Sequence, residues 1–375
     1  MRYNLVTVVW GEEYTDFFVN IAIPNLLTSG NLDVLAKTPV PVFRIFTMAQ
    51  DAIKIKDSSA FKKVLQLIAV EITAISETDF SQNYTIVSKY HQIAINAAID
   101  DNAAVIFIGP DTIRAQGYMA NILRIAESGT RAVMISEIRV AKDTFLPEFL
   151  KLFSNEGAMR DIPPRQLVVL ALQHLHPVSK SFFWHSKKFH NAPSYIYFEV
   201  PGEGFVARCF HLSPAMVNPV CGGAKFSTTI DGGYIQNACP VIKDIYVSSD
   251  SDELMSVEMS SLSYPGNAGR RPPSPLNIAA FTKYSADGHN RIFIQQKIRF
   301  HFDDISPRWA KVEQFSDKAI DKIFYWLKFE PLLFWPYGIL TQAKLFARNI
   351  IKSFFGESFT RKLAGRIRSM RTKET

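Results

Sequence analysis

The chain has 375 residues, more than the ~250–300 over which one hydrophobic core keeps growing, so two subdomains or one large α/β domain with appendages are expected. With 47% hydrophobic and 21% charged residues it can bury a large core, which excludes disordered, collagenous and fibrous classes. The formal net charge of +7 is concentrated: residues 341–375 hold nine Lys/Arg against Glu357 and Glu374, so the remaining body is formally neutral.

Cys209, Cys221 and Cys239 lack the CxxC pairing of a structural zinc site and cannot form a disulfide framework, which suggests a reducing compartment. The apolar stretch 5–10 is too short and too early for a signal peptide or a membrane span. A cytoplasmic protein is expected.

The N-terminal third alternates strand and helix. The β-branched run 6–10 predicts a strand ending at Gly11-Glu12-Glu13, and 17–27 a helix closed by Thr28-Ser29-Gly30. A second strand at 40–46 ends near Thr47 and Asp51. Then come a helix at 59–68, a strand at 70–75, a helix at 84–99, and the wholly apolar strand 103–108, which stops at Gly109-Pro110-Asp111. Residues 114–128 read as a helix stopped by Gly129 in the left-handed conformation, followed by a strand at 131–135. Apolar strands separated by helices predict an α/β fold, a mostly parallel sheet with helices on both faces, whose ligands bind beyond the strand C-termini. The site is therefore expected near Trp10, Gly11, Glu12, Thr47 and Asp111. Neither GxGxxG nor GxxxxGK[ST] follows the first strand, so dinucleotide and P-loop chemistry are not expected.

In the middle third a helix at 166–174 leads to His174 and His176, with His185 and His190 beyond; no HExxH accompanies them, and polar loop histidines are the simpler reading. A hairpin, 195–200 and 205–210, delivers His211 into a loop, where it can serve as a base or as a hydrogen-bonded structural histidine. The strand around 245–249 ends in Asp250-Ser251-Asp252-Glu253. Two carboxylates one residue apart past a strand can hold Mg²⁺ or Mn²⁺ against a diphosphate, or the same residues can cap a following helix. Residues 260–277 are rich in Pro and Gly and read as a lid or a linker.

The segments Val6 to Trp10, Gly11-Glu12-Glu13-Tyr14, Pro24-Asn25-Leu26-Leu27-Thr28-Ser29-Gly30-Asn31-Leu32, Gly109-Pro110-Asp111, Phe210-His211-Leu212-Ser213-Pro214, Thr229-Ile230-Asp231 and Asp250-Ser251-Asp252-Glu253 resemble those of bacterial GT-A-like proteins, with the nucleotide-diphosphosugar transferase fold, associated with surface polysaccharide synthesis. The resemblance spans residues 4–260. The chain is read as a nucleotide-sugar-binding βα half at 1–140, an acceptor or catalytic half at 141–310 and an aromatic and basic amphipathic C-terminal extension at 311–375. The resemblance implies donor binding by Trp10, Gly11, Glu12, Thr47 and Asp111, catalytic roles for His211, Asp231, Asp250 and Glu253, and a metal, Mg²⁺ or Mn²⁺, at Asp111, Asp250 and Asp252. Gly109-Pro110-Asp111 supplies one carboxylate where such folds place an acidic motif. Either Asp111 holds the metal with help from elsewhere, or Arg114, Arg131 and Arg139 neutralise the leaving diphosphate without one.

At the C-terminus, 324–340 holds seven aromatics interrupted by charges and prolines, and 343–354 carries an apolar stripe flanked by Lys344, Arg348 and Lys352. Segments of this kind lie on an anionic membrane surface, or form a packed helix with a basic tail. No RNP-like or helix-turn-helix signal accompanies them, so no nucleic-acid partner is expected. The resulting expectation is a glycosyltransferase moving a sugar from a nucleotide-diphosphate donor to a lipid-linked or polysaccharide acceptor, peripheral at the inner face of the membrane. The alternative is a non-catalytic GT-A-like module that binds glycan or nucleotide.

Overall fold

The computed structural model describes residues 1–77, 83–155, 158–219, 230–264, 269, 271–286 and 288–329. Residues Met1–Ile320 form one compact unit; of a second, Asp321–Thr375, only residues up to Phe329 are described.

The centre of the first unit is a seven-stranded sheet in the order Ile245–Val247, Ala132–Ile135, Ser213–Val217, Ala103–Phe107, Arg2–Val8, Val42–Thr47, Ala69–Ala74. Six strands run one way and Ser213–Val217 runs against them. The expected mixed α/β architecture with a mostly parallel sheet is what the chain adopts. Ala103–Phe107 and all but the first residue of Arg2–Val8 are buried, because their unbroken apolar sequences belong inside a sheet covered by other layers. The helix Asn83–Asp100 packs on these two strands. At one edge, Ala69–Ala74 alternates partly buried with exposed residues, and Glu71 pairs with Arg44, a polar finish that discourages further strand addition.

Two local features follow from proline. Pro214 sits in the antiparallel strand between two neighbours but has no N–H to give, and the ladder shifts register between Pro214 and Met216. The helix expected at 17–27 is realised as Glu12–Phe17, a wider π-type turn Phe18–Ala22, and Ile23–Leu26. Pro24 lacks the N–H that a regular helix would direct one turn back, and the widened turn absorbs that loss.

One expectation is corrected. Residues 114–128 are not a single helix: Thr112–Arg114 is a strand and the helix is Tyr118–Glu127, entered through Gly117 at φ 74°. Pairing with Ser256–Ser260 outweighs the helical periodicity of the first residues. Gly129 does take the left-handed conformation, at φ 89°. A second sheet is thereby formed, with Ser256–Ser260 in the middle, antiparallel to Thr112–Arg114 and parallel to Ile138–Ala141.

The Asn25 to Asn31 segment explains how Thr112–Arg114 is held. The Asn25 amide donates to the Arg114 carbonyl, and its oxygen accepts the Arg114 N–H, both at 2.8 Å. Asn31 accepts from the Met119 N–H at 3.2 Å. Gly30 lies against Gly117 so closely that an added Cβ would stand 2.7 Å from the Gly117 Cα. The hairpin Tyr195–Val200 and Gly204–Cys209 forms as expected and pairs with Ile298–His301. The buried Arg208 side chain bonds Ser316 and the Gln295 carbonyl and pairs with Asp317, tying the helix that begins at Pro307 to this small sheet.

Asn25→Ala leaves a buried N–H and a buried carbonyl of Arg114 unpaired, at a cost of about 1–3 kcal/mol for each group. The expected result in urea unfolding is a loss of about 2–5 kcal/mol with an unchanged m-value. A loss below ~1 kcal/mol would show that the clamp does not hold this strand.

Candidate active site at the carboxyl edge of the sheet

Because the strands are parallel, their C-termini reach one edge together. Trp10, Gly11 and Glu12 follow Arg2–Val8, Thr47 ends Val42–Thr47, Asp111 follows Ala103–Phe107, and Asp250–Glu253 follow Ile245–Val247. His211 precedes the reversed strand Ser213–Val217, whose N-terminus lies beside Ile135, and so comes to the same edge. The Asp231 side chain lies outside the described part.

Within this edge the residues divide into two polar groups. The first is built around Glu258. Its strand places it opposite Thr112 on one side and Arg139 on the other, and the Met259 N–H reaches the Asp111 carbonyl at 3.1 Å. Arg139 gives one guanidinium nitrogen to both Glu258 oxygens, at 2.8 and 3.0 Å, and lies 5.1 Å from the Tyr264 ring. Burial and the negative charge of Glu258 push the Asp111 carboxyl up to about 7. Burial and Glu258 also raise the Glu137 carboxyl, against the pull of Arg114 and a hydrogen bond from Ser256 at 3.0 Å. Tyr14 is raised by burial and then by the charge of Asp111. Asp111 is thus within electrostatic reach of Glu258, Glu137 and Arg139, and Tyr14 within reach of Asp111, Glu258 and Tyr264. Arg114 is buried, stacked 5.7 Å from the Tyr118 ring, and its Nε and one terminal nitrogen have no protein partner.

The second group lines a cleft of about 480 Å³ bounded by Asn121, Arg124, Arg165, Asp250, Asp252 and His301, among others. The turn after Ile245–Val247 is stitched to Ile298–His301: Ser251 N–H donates to the Arg299 carbonyl at 2.9 Å, and Arg299 N–H to the Ser249 carbonyl at 2.9 Å. This brings His301 Nε2 to 2.9 Å from an Asp250 oxygen and 3.7 Å from an Asp252 oxygen. Burial opposes ionisation of Asp250, yet His301 and the Asp252 N–H hold its carboxyl below the usual range. The Asp250 contact raises the His301 imidazole against the effect of burial. Asp250–Glu253 cap no helix; they form a turn that leads into Ser256–Ser260.

Of the remaining expected site residues, Glu253, His211 and Gly11 have defined partners. Glu253 accepts from the Tyr246 hydroxyl at 2.8 and 3.0 Å, Ser248 at 3.1 Å and Arg124 at 2.6 Å, an arrangement that fixes the turn. His211 Nε2 meets the Ser285 carbonyl at 3.0 Å. The Gly11 N–H donates to Asp51 at 2.8 Å, Glu12 is exposed, and Thr47 is fully buried. Among the described residues, the group of three His, Cys, Asp or Glu with donor atoms within 4.8 Å of one another is Asp250, Asp252 and His301; Asp111 is not part of it. Near Asp111, Glu258 is engaged by Arg139.

Glu137, Glu258 and His301 were not singled out from the sequence. Glu137 had a usable signal, as a carboxylate two residues past an apolar strand. Glu258 and His301 had none, because their partners are more than forty residues away.

No family model matches the chain, and no curated protein matches it. Solved structures similar to parts of it include one from Bacillus anthracis, described as a glucose-1-phosphate thymidylyltransferase in complex with a sucrose, at 9% identity and TM-score 0.24 over 39% of this chain and 57% of that one. Another is mouse xyloside xylosyltransferase 1 in its apo form, at 14% identity and TM-score 0.26 over 42% of this chain and 63% of that one. The chain covers less than two thirds of either structure.

The raised Asp111 carboxyl sets a pH dependence. The folded state holds this proton more tightly than the unfolded chain, so the contribution is fully present below the unfolded value near ~4 and is lost as pH rises through about 7. Asp111→Asn is expected to remove a fall of about 2–3 kcal/mol between pH 5 and 8, several degrees in Tm. Parallel melting profiles for the two proteins would count against this assignment.

Proposed function

We propose that the chain transfers a sugar from a nucleotide-diphosphate donor, at the group formed by Asp111, Glu137, Arg139 and Glu258. The observation that carries this reading is the position of Asp111 and Glu137, just past the carboxyl ends of the parallel strands Ala103–Phe107 and Ala132–Ile135, where open α/β sheets bind their ligands, with Glu258 and Arg139 paired beside them. The composition of the group suits a sugar nucleotide. Carboxylates accept hydrogen bonds from sugar hydroxyls, Arg139 and Arg114 match phosphate oxygens, and the Tyr14 and Tyr264 rings offer apolar faces. A carboxylate whose pKa sits close to neutral can take the acceptor hydroxyl's proton as that oxygen bonds the sugar carbon and the bond to the leaving nucleotide diphosphate breaks, then release the proton to solvent or to the diphosphate, and Asp111 is the candidate for that step. No step here depends on a metal.

The acceptor in this reading is a lipid-linked or growing polysaccharide, met at an anionic membrane surface through residues 324–375. Support comes from composition, since residues 341–375 carry the entire formal net charge next to a dense aromatic run. Of that segment, 330–375 lie outside the described residues. Among the described residues no helix is long and apolar enough to cross a membrane.

A panel of UDP-, GDP-, CMP- and dTDP-sugars, with and without Mn²⁺, tests the donor. One class should raise Tm by about 5 °C near a hundredfold excess over Kd, where the ligand contributes ~2.7 kcal/mol. Arg139→Ala should weaken that binding at least tenfold, and Asp111→Asn should lower release of the nucleotide diphosphate by ~10²-fold or more while the donor still binds. Silence across the panel in both binding and turnover would sink the proposal. Binding without turnover would favour the non-catalytic module. For the surface, the full chain should float with anionic but not neutral liposomes, and deletion of 341–375 should abolish flotation; unchanged flotation would remove the membrane role.

A further inference from the structure

We infer that the surface around Trp184 and Phe315 is a docking face for an anionic lipid bilayer, built into the body of the protein and made of other residues than the segment 324–375. All of its residues lie within Met1–Ile320. The strand Tyr195–Val200 is the edge of the small three-stranded sheet, and its buried Phe198 is covered by two rings from elsewhere in the chain. Trp184 stacks on Phe198 at 5.4 Å between ring centroids, and Phe315, from the helix that begins at Pro307, meets it edge-on at 5.9 Å. Phe315 is nevertheless 52% exposed, and Trp184 is only partly buried. Seating these rings in the headgroup layer would take the rest of their apolar surface out of water.

The surroundings of the rings are basic. Lys187 and Lys188 follow Trp184 in a loop held by the Ser186 N–H, which donates to the Phe183 carbonyl at 2.8 Å. Lys311 and Lys318 stand four residues before and three after Phe315, the spacing that puts side chains on one helix face, while Trp309, Ser316 and Ile320 are buried on the other. All four lysines are exposed, and among the described residues none is in an ion pair. Glu313 and Asp317 on the same helix are occupied, the first by Arg299 at 2.7 Å and the second by Arg208 and Lys297. Glu199 follows Phe198 in the strand, so it points to the opposite face, where it lies 3.4 Å from His185.

Exposed rings among unneutralised lysines fit a bilayer better than a protein partner. Protein interfaces are depleted in lysine, whereas at a bilayer the lysine stem lies along apolar surface and the ammonium reaches anionic headgroups. The patch is also tied to the donor group. Phe189, whose ring lies 6.4 Å from Trp184, donates its N–H to the Arg271 carbonyl at 2.9 Å. Arg271 follows Tyr264 by seven residues, which span at most ~25 Å, and the Tyr264 ring lies over Arg139. A face of this size adds to a second anchor and does not replace it, since stable attachment takes two signals.

The test uses the full chain with vesicles of phosphatidylglycerol and phosphatidylcholine in equal parts, and pure phosphatidylcholine as the neutral arm. Acetylation by a water-soluble reagent, read by mass spectrometry, should slow about fivefold or more at Lys187, Lys188 and Lys318 when anionic vesicles are present. It should be unchanged at the exposed Lys62 and Lys63, on the helix that leads into the other edge strand, Ala69–Ala74. Phe315→Ser should weaken partition onto anionic vesicles about fivefold or more, and Lys187→Glu combined with Lys188→Glu about tenfold or more, with circular dichroism confirming that each variant folds. Lysines that label at equal rates with and without vesicles, or variants that both partition as the parent does, would overturn the inference. Protection already present without lipid and lost on dilution would also overturn it, and would assign the face to a second copy of the chain. Deletion of 341–375 probes a different segment and the donor panel a different site, so a failure there is read separately from a failure here.

Discussion

The arrangement of the edge depends on one short strand, Ser256–Ser260, lying between Thr112–Arg114 and Ile138–Ala141. A strand spaces its neighbours about 5 Å away on each side, so whatever stands at its centre is forced close to residues from two distant parts of the chain. Here the central residue is Glu258. Its neighbours across the ladder are Thr112, next to Asp111, and Arg139. Backbone pairing therefore sets carboxylates close together with one cation shared between them, and the pKa shifts follow from that spacing. Arg139 satisfies Glu258. For Asp111 and Glu137, burial and the charge of Glu258 outweigh the pull of Arg139 and Arg114, and both keep their protons to higher pH.

The same edge shows how a buried cation is retained. Arg114 is 3% exposed, and two of its guanidinium nitrogens find no protein partner. Such a residue would escape to solvent if its backbone could move. Asn25 holds both its N–H and its carbonyl, and the Gly30 and Gly117 contact admits no side chain between the two loops. The guanidinium is thus confined near Glu137, whose charge it partly offsets. A motif that in the sequence looks like a turn with several polar residues acts as a clamp on a strand more than eighty residues away.

This separates what could be read in the sequence from what could not. Ala103–Phe107, Val42–Thr47 and the hairpin from Tyr195 were legible because apolar runs and turn residues act locally. Asp111 was legible as a polar residue at the tip of such a run. The strand Thr112–Arg114 was missed, since its periodicity resembled the start of a helix and only pairing with Ser256–Ser260 decides the matter. For the same reason Asp250 and Asp252 could be picked out as a pair, while His301, which completes their group, could not: the two ends meet only through backbone bonds between Ser249, Ser251 and Arg299.

The two polar groups begin from similar side chains and reach opposite electrostatic states. Asp250 is ionised below the usual carboxylate range because an imidazole and a backbone N–H point at it, whereas Asp111 is pushed to about 7 because burial and Glu258 are the larger influences. A carboxylate already ionised and held by donors is suited to a fixed role, as a ligand or an anchor. A carboxylate balanced near neutrality is suited to moving a proton. Identity of residue type therefore says little about role at this edge. What distinguishes the groups is which neighbour the backbone brings within reach, an imidazole in one case and a second carboxylate in the other.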